Sequence, residues 1–269
     1  MNPFFPRQPF LPATPFMPSA VLPVQPAVLS DKIKHILAQP LEAFVPPGTV
    51  QAAAPKTYAA VLLDESSSMS RHQASALEGF NAQVQVIRSG AEQAGNTAVS
   101  LVAFNALVRP VLVNRPAHEL HPLSPEQYRP NGGTALFDAI GSTLESLLEQ
   151  PDIHSPQTAV LVAIFTDGEE NSSRRFSGET LKQLVTRLEA TGRWTFTLMG
   201  PQGTSVELAS ILNLRAGNVA TFNPQDVGST RDAFASMTRA ATNYMSLRGQ
   251  GVMASASLYA GADALLKQD

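Results

Sequence analysis

Three short segments concentrate oxygen-bearing side chains at the ends of apolar stretches. Asp64-Glu65-Ser66-Ser67-Ser68-Met69 follows a run ending at Leu63, and Asp167-Gly168-Glu169-Glu170-Asn171 follows Phe165-Thr166. Asn131-Gly132-Gly133-Thr134-Ala135-Leu136-Phe137-Asp138 opens an amphipathic stretch. Together they offer two carboxylates, Asp64 and Asp167, and three hydroxyls, Ser66, Ser68 and Thr134, without His or Cys. Hard oxygen donors of this kind suit Mg²⁺, which keeps near-octahedral oxygen coordination and retains waters or a partner's oxygen. Mn²⁺ and Ca²⁺ accept the same donor types. The plainer alternative is that Ser66 and Ser68 cap a following helix and that Thr134 is an N-cap after its Gly-Gly turn.

The elements that must position these residues alternate between strand and helix. Apolar runs at Tyr58 to Leu63 and Thr158 to Phe165 read as strands, the second buried on both faces as in a parallel sheet. Leu77, Phe80, Val84, Ile87 and Ala91 recur at helical spacing within Gln73 to Ala91, as do Leu136, Ile140, Leu144 and Leu147 within Leu136 to Leu148. Val99 to Phe104 and Val108 to Val113, joined near Asn105-Ala106, read as a hairpin. Further on come a helix over Thr180 to Leu188, a strand over Trp194 to Leu198, a helix over Val206 to Leu212 and a short strand over Val219 to Phe222. Phe234, Met237, Ala241 and Tyr244 mark a last helix. The expected fold class is α/β, an open and mostly parallel doubly wound sheet with one antiparallel hairpin strand. In such sheets ligands bind where strands end and helices begin, which is where the three segments fall.

Asp64-x-Ser66-x-Ser68, Thr134 within Gly-Gly-Thr-Ala-Leu-x-Asp-Ala-Ile, and Asp167 within Thr-Asp-Gly-Glu-Glu-Asn occur in this order over roughly Thr57 to Tyr244. Together they resemble the metal-ion-dependent adhesion site of von Willebrand factor A domains, most nearly the compact bacterial and phage forms. The resemblance implies a Rossmann-like fold and a divalent metal, Mg²⁺ first. It implies that Ser66 and Ser68 bind the metal directly, that Thr134 joins them in the ligand-competent state, and that Asp64 and Asp167 act largely through water. The open sixth position would take an Asp or Glu side chain of a protein partner. Ser67 stands where many members carry glycine.

Other polar residues near these segments carry less. Glu169 and Glu170 either tune metal affinity or repel an acidic partner. Asp138 reads as a helix-dipole partner or a supporting group. His118 and His121 read as solvated, His72 as a surface residue near the first loop or one that approaches a bound partner, Trp194 as core or strand-end packing, and Arg174 with Arg175 as a solvated pair or a partner-binding rim.

Proline divides the chain. Of 21 prolines, 12 lie in residues 1–55, which hold one of the 17 glycines, Gly48. Pro3, Pro6, Pro9, Pro12, Pro15 and Pro18 repeat every third residue, the period of polyproline II, with Phe4, Phe5, Phe10 and Phe16 among them. The composition suits a disordered tail, but its aromatics argue for docking onto the chain's own domain or a partner, including self-assembly. Ser30-Asp31 then caps a short helix over Lys32 to Ala38. The domain reading is a Pro/Phe-rich extended N-terminal arm with one short helix over 1–56, the α/β domain over 57–245 and a C-terminal tail over 246–269.

A net charge of −3 and the lack of a polybasic patch argue against nucleic acid. The longest uninterrupted apolar run, Ala159 to Phe165, is far too short to cross a bilayer, the N-terminus does not resemble a signal peptide, and cysteine is absent. Cytoplasmic residence without membrane association is the expectation. Catalysis is not expected. A haloacid-dehalogenase-like hydrolase would need a carboxylate two residues after Asp64, where Ser66 stands, and no phosphate loop or Gly-x-Ser-x-Gly elbow occurs. The leading reading is a noncatalytic, metal-dependent protein-interaction module. The alternative is a structural component of a larger assembly, such as a phage or bacterial particle, attached through the arm.

Overall fold

The computed structural model describes residues 28–39, 55–91 and 96–259. The three-residue proline repeat lies outside them, as do residues 260–269. In chain order the elements are α1 (Asp31–Ala38), β1 (Lys56–Asp64), α2 (Gln73–Ala91), β2 (Asn96–Phe104), β3 (Val108–Pro116), α3 (Leu136–Leu148), β4 (Thr158–Phe165), α4 (Gly178–Ala190), β5 (Trp194–Pro201), α5 (Gln202–Leu212), β6 (Val219–Phe222) and α6 (Val227–Gly249). A short 3₁₀ turn, Ser67–His72, links β1 to α2.

The six strands form one sheet in the order β3-β2-β1-β4-β5-β6. All neighbours are parallel except β2 and β3, whose pairing is the antiparallel hairpin. Alternation along the strands splits the core in two. Tyr58, Ala60 and Leu62 of β1 and Val160, Val162 and Ile164 of β4 face α1, α3, α4 and α5. Ala59, Val61 and Leu63, with Leu161 and Phe165, face α2 and α6. This is the doubly wound arrangement that the apolar runs imply. Compared with their apolar cores, β1 and α4 extend at both ends, β2 and α5 at their starts, and β3 and β5 at their ends.

The helix α1 packs on its own chain. Ile33 and Ile36 are buried in the core shared by α3 and α4, each contributing about 1.5–3 kcal/mol through removal from water. Ser30 caps it by accepting from the Ile33 amide, and its own amide donates to Glu145 Oε1 at 3.1 Å. Lys32 Nζ donates to the Leu148 carbonyl, and Arg187 donates to the carbonyls of Leu37 and Gln39.

At the other end, α6 runs to Gly249. Arg248, buried, donates to Thr57 Oγ1, the Lys56 carbonyl and the Val252 carbonyl. Asn218 donates to the Ser255 carbonyl and accepts from the Leu258 amide, and the Ser255 amide donates to Thr195 Oγ1. Leu258 and Tyr259 are consequently buried against α2 and α6. The chain after α6 is thus bound to the sheet at least as far as Tyr259.

Candidate metal centre

Register brings the first and third segments together. Leu63 on β1 lies opposite Phe165 on β4, so Asp64 and Thr166-Asp167 leave the sheet side by side at its C-terminal edge. Asp64 is fully buried. Its Oδ1 accepts from the Ser66 amide at 2.7 Å, and its Oδ2 accepts from the Thr166 hydroxyl at 2.5 Å. Ser66 and Ser68 share a hydroxyl–hydroxyl bond of 2.9 Å, and the Ser68 hydroxyl donates to Asp167 Oδ1 at 2.6 Å.

The second segment closes on the other two through its backbone. Gly132 adopts φ 75°, a conformation that side chains resist. Its carbonyl accepts from the Ser67 amide at 3.0 Å. A Cβ on Gly133 would sit 2.2 Å from Ser172 Oγ, so glycine is what lets the third segment approach. The Thr134 amide donates to Asn171 Oδ1 at 2.9 Å, and the Thr134 carbonyl accepts from the amides of Asn171 and Ser172.

The five residues Asp64, Ser66, Ser68, Thr134 and Asp167 converge. A methyl group placed on Gly168 would lie 3.2 Å from Thr134 Oγ1, 3.3 Å from Ser68 Oγ and 3.8 Å from Ser66 Oγ. The three hydroxyls thus surround one small space, which Asp167 joins through Ser68 and Asp64 through the Ser66 backbone. The capping alternatives do not hold here. Ser66 makes no side-chain cap bond to the turn it precedes, and the N-cap of α3 is Ala135 rather than Thr134. The hydroxyls have no such duty to perform.

Electrostatics fit a cation. Burial pushes the Asp64 carboxyl up to about 6, against the opposing hydrogen bonds from Thr166 and Ser66. Burial also raises Asp167, while the Ser68 hydrogen bond, His72 and Arg71 work in the other direction. A divalent ion would offset that desolvation. Among the described residues no group of three or more His, Cys, Asp or Glu gathers, so an ion held here relies on hydroxyl oxygens, as a hard cation permits.

Several supporting residues were not assigned these roles from sequence. Glu65, nearly buried, accepts from Arg109 at 2.8 and 2.9 Å and from the Arg129 amide at 3.0 Å. Tyr128, fully buried, donates to the Asp64 carbonyl at 2.6 Å. Glu170 turns its carboxylate toward the loop backbone. Its carboxylate accepts from the amides of Phe137, Ser172 and Ser173 and from the Ser173 hydroxyl. Asp138, read from the sequence as a helix-dipole partner or a supporting group, takes the supporting role: it accepts from three successive amides, Arg174, Arg175 and Phe176, and so anchors the third loop to α3. A run of polar residues carries no periodic signal for such contacts, whereas Thr166, directly between strand β4 and Asp167, was within reach of inspection.

His72 departs from the surface placement expected of it. The 3₁₀ turn directs it inward, where it is buried edge-on to Phe222 with ring centroids 5.9 Å apart. Burial lowers its pKa, with Asp167 opposing. His118 and His121 are exposed, Trp194 is buried beside Phe196, and Arg175 pairs with Glu145 at 2.8 Å while Arg174 is exposed.

A scan against protein-family models gives no match, and neither does a search of the curated proteins. Solved structures do match. The vWF domain of the type V pili tip protein Mfa5 from Porphyromonas gingivalis aligns at a TM-score of 0.50 and 10% identity, over 72% of this chain and 97% of that one. A von Willebrand factor type A structure from Catenulispora acidiphila aligns at 0.49 and 18%, over 71% of this chain and 44% of that one. The ArnB paralog VWA2 from Sulfolobus acidocaldarius aligns at 0.47 and 14%, over 71% and 46%. The chain thus matches less than half the length of the latter two. With the sheet order and the helices on both faces, the match along nearly all of the Mfa5 domain shows that this chain carries the von Willebrand factor A fold.

Proposed function

We propose that the chain is a noncatalytic protein-interaction module that acts through a divalent cation, Mg²⁺ in the first instance, held by Asp64, Ser66, Ser68, Thr134 and Asp167. The observation that carries this reading is the convergence of three hydroxyls on the space beside Gly168, with the buried carboxylate of Asp64 and the half-buried one of Asp167 behind them. When bound, the cation supplies a positive centre that accepts a carboxylate oxygen from an Asp or Glu of a partner protein.

This chain's own residues do the positioning. Thr166 and the Ser66 amide hold Asp64 in one orientation, Tyr128 fixes the backbone beneath it, and Asn171 sets Thr134. The type V pili tip protein among the similar structures is in keeping with a role in protein contact or assembly. Among the described residues no helix is long and apolar enough to cross a membrane.

The test is thermal unfolding of the full chain with and without Mg²⁺ or Mn²⁺. A ligand at a hundredfold excess over its Kd adds about 2.7 kcal/mol, which for a domain of this size raises Tm by roughly 5–11 °C. Asp64→Ala should abolish the rise. A melting curve indifferent to saturating metal would reject the reading.

A further inference from the structure

Leu107 stands out beside the metal centre. It is 75% exposed, the most exposed of the large apolar side chains in the described chain. It sits at the tip of the β2–β3 hairpin, where turns ordinarily take Gly, Asn, Asp or Ser. Single exposed leucines need no explanation by themselves. The distinguishing features here are its place and its rigidity.

The turn that carries it is tied to two of the loops that form the site. The Ala135 amide, next to Thr134, donates to the Asn105 carbonyl at 2.6 Å, and the Glu65 amide, next to Asp64, donates to the Phe104 carbonyl at 2.6 Å. Asn105 Nδ2 donates to Asn131 Oδ1 at 3.2 Å. A Cβ on Gly132 would lie 3.7 Å from Ala106 Cβ, so the two loops are in near contact. Within the turn, the Leu107 amide donates to Asn105 Oδ1 and the Asn105 amide donates to the Leu107 carbonyl, both at 3.0 Å. The Leu107 amide and carbonyl are thus both satisfied within the turn, which holds the backbone from which the side chain is presented to water. Rigid presentation lowers the entropy lost when a partner covers the side chain.

We infer that Leu107 is the apolar half of a two-part recognition surface whose polar half is the metal centre. The partner it fits is a protein loop presenting an Asp or Glu to the cation and a branched or aromatic apolar side chain to Leu107. This inference rests on the metal reading above and adds to it the apolar neighbour and the residue that selects it. The carboxylate supplies attraction and register; burial of Leu107 supplies affinity and discrimination among acidic loops.

The experiment selects a random-loop peptide library, displayed on a neutral scaffold, on the immobilised full chain in Mg²⁺, with elution by chelator. Eluted clones should share an Asp or Glu together with an apolar residue in the same loop. Leu107→Ser, at an exposed site, should leave the fold and the Mg²⁺-dependent melting shift unchanged, yet bind those clones about tenfold or more weakly. Selection repeated on Leu107→Ser should retain the acid and lose the apolar preference. Acid-only clones on the wild-type chain, or equal binding by Leu107→Ser, would overturn the role of Leu107 while the metal reading stands. No chelator-eluted clone together with no metal-dependent melting shift would overturn both.

Discussion

The Thr166 hydroxyl donates to Asp64 Oδ2 across 2.5 Å, joining the ends of β1 and β4 beneath the candidate metal centre. The Thr166 hydroxyl oxygen in turn accepts from the Gly168 amide at 3.2 Å. Thr166→Val keeps the shape and removes both bonds, leaving a buried carboxylate oxygen without that donor. The expected cost is about 1–3 kcal/mol, accompanied by weaker metal binding because Asp64 is no longer held. Urea unfolding and a metal titration of the variant check this; unchanged values in both would show that the bond positions nothing.

Gly168→Ala separates the site from the fold. The added methyl enters the space among Thr134, Ser68 and Ser66, where an ion would need room, and touches no buried apolar packing. The melting temperature without metal should stay within a degree or two, while the Mg²⁺-dependent rise disappears. A variant that kept the full rise would mean that the metal sits elsewhere.

Asp138 holds the third loop by accepting from the amides of Arg174, Arg175 and Phe176 at 2.8–2.9 Å. Asp138→Ala should cost about 1–3 kcal/mol, moderated by water reaching the two exposed amides, and should speed hydrogen exchange at those three positions. Exchange rates equal to wild type would place the loop's anchor in Glu170 instead.

Glu189 offers a pH test independent of the metal. Its carboxyl is buried on α4, pairs with Arg215 at 3.2 Å through Oε2, and has no partner on Oε1. Burial raises its pKa above the ordinary value despite Arg215. A raised pKa means that the folded state prefers the protonated form, so this contribution to stability is complete below the unfolded pKa and is lost as pH rises through the folded one. Glu189→Gln, which is neutral throughout, should therefore be the more stable protein near pH 7, with the difference closing as pH falls toward 4. Denaturation at both pH values decides it, and a variant less stable than wild type at pH 7 would show that the ion pair outweighs the burial.

Legibility in the sequence tracked the physics that sets each feature. Leu136–Leu148, Thr158–Phe165 and Gln73–Ala91 have the bounds that their apolar patterns give, because one buried face or two leave a periodic trace. Asp64, Ser66, Ser68, Thr134 and Asp167 were readable as a group because a parallel sheet delivers its strand ends to one edge. The contacts of Glu65, Tyr128, Asp138 and Glu170 depend instead on how irregular loops close over one another, and no period encodes that. The inward turn of His72 arises from a short 3₁₀ segment, and the bonds of Asn218 to residues 255 and 258 from a meeting of distant chain. Neither leaves a local signature.

The most direct measurement is a Mn²⁺ titration of the full chain followed by electron paramagnetic resonance of the free ion. Wild type should remove a single equivalent of Mn²⁺, displaceable by Mg²⁺, and both Asp64→Ala and Gly168→Ala should remove none while remaining folded. Undiminished free Mn²⁺ over the wild-type protein, or equal binding by the two variants, would contradict a metal centre at these residues.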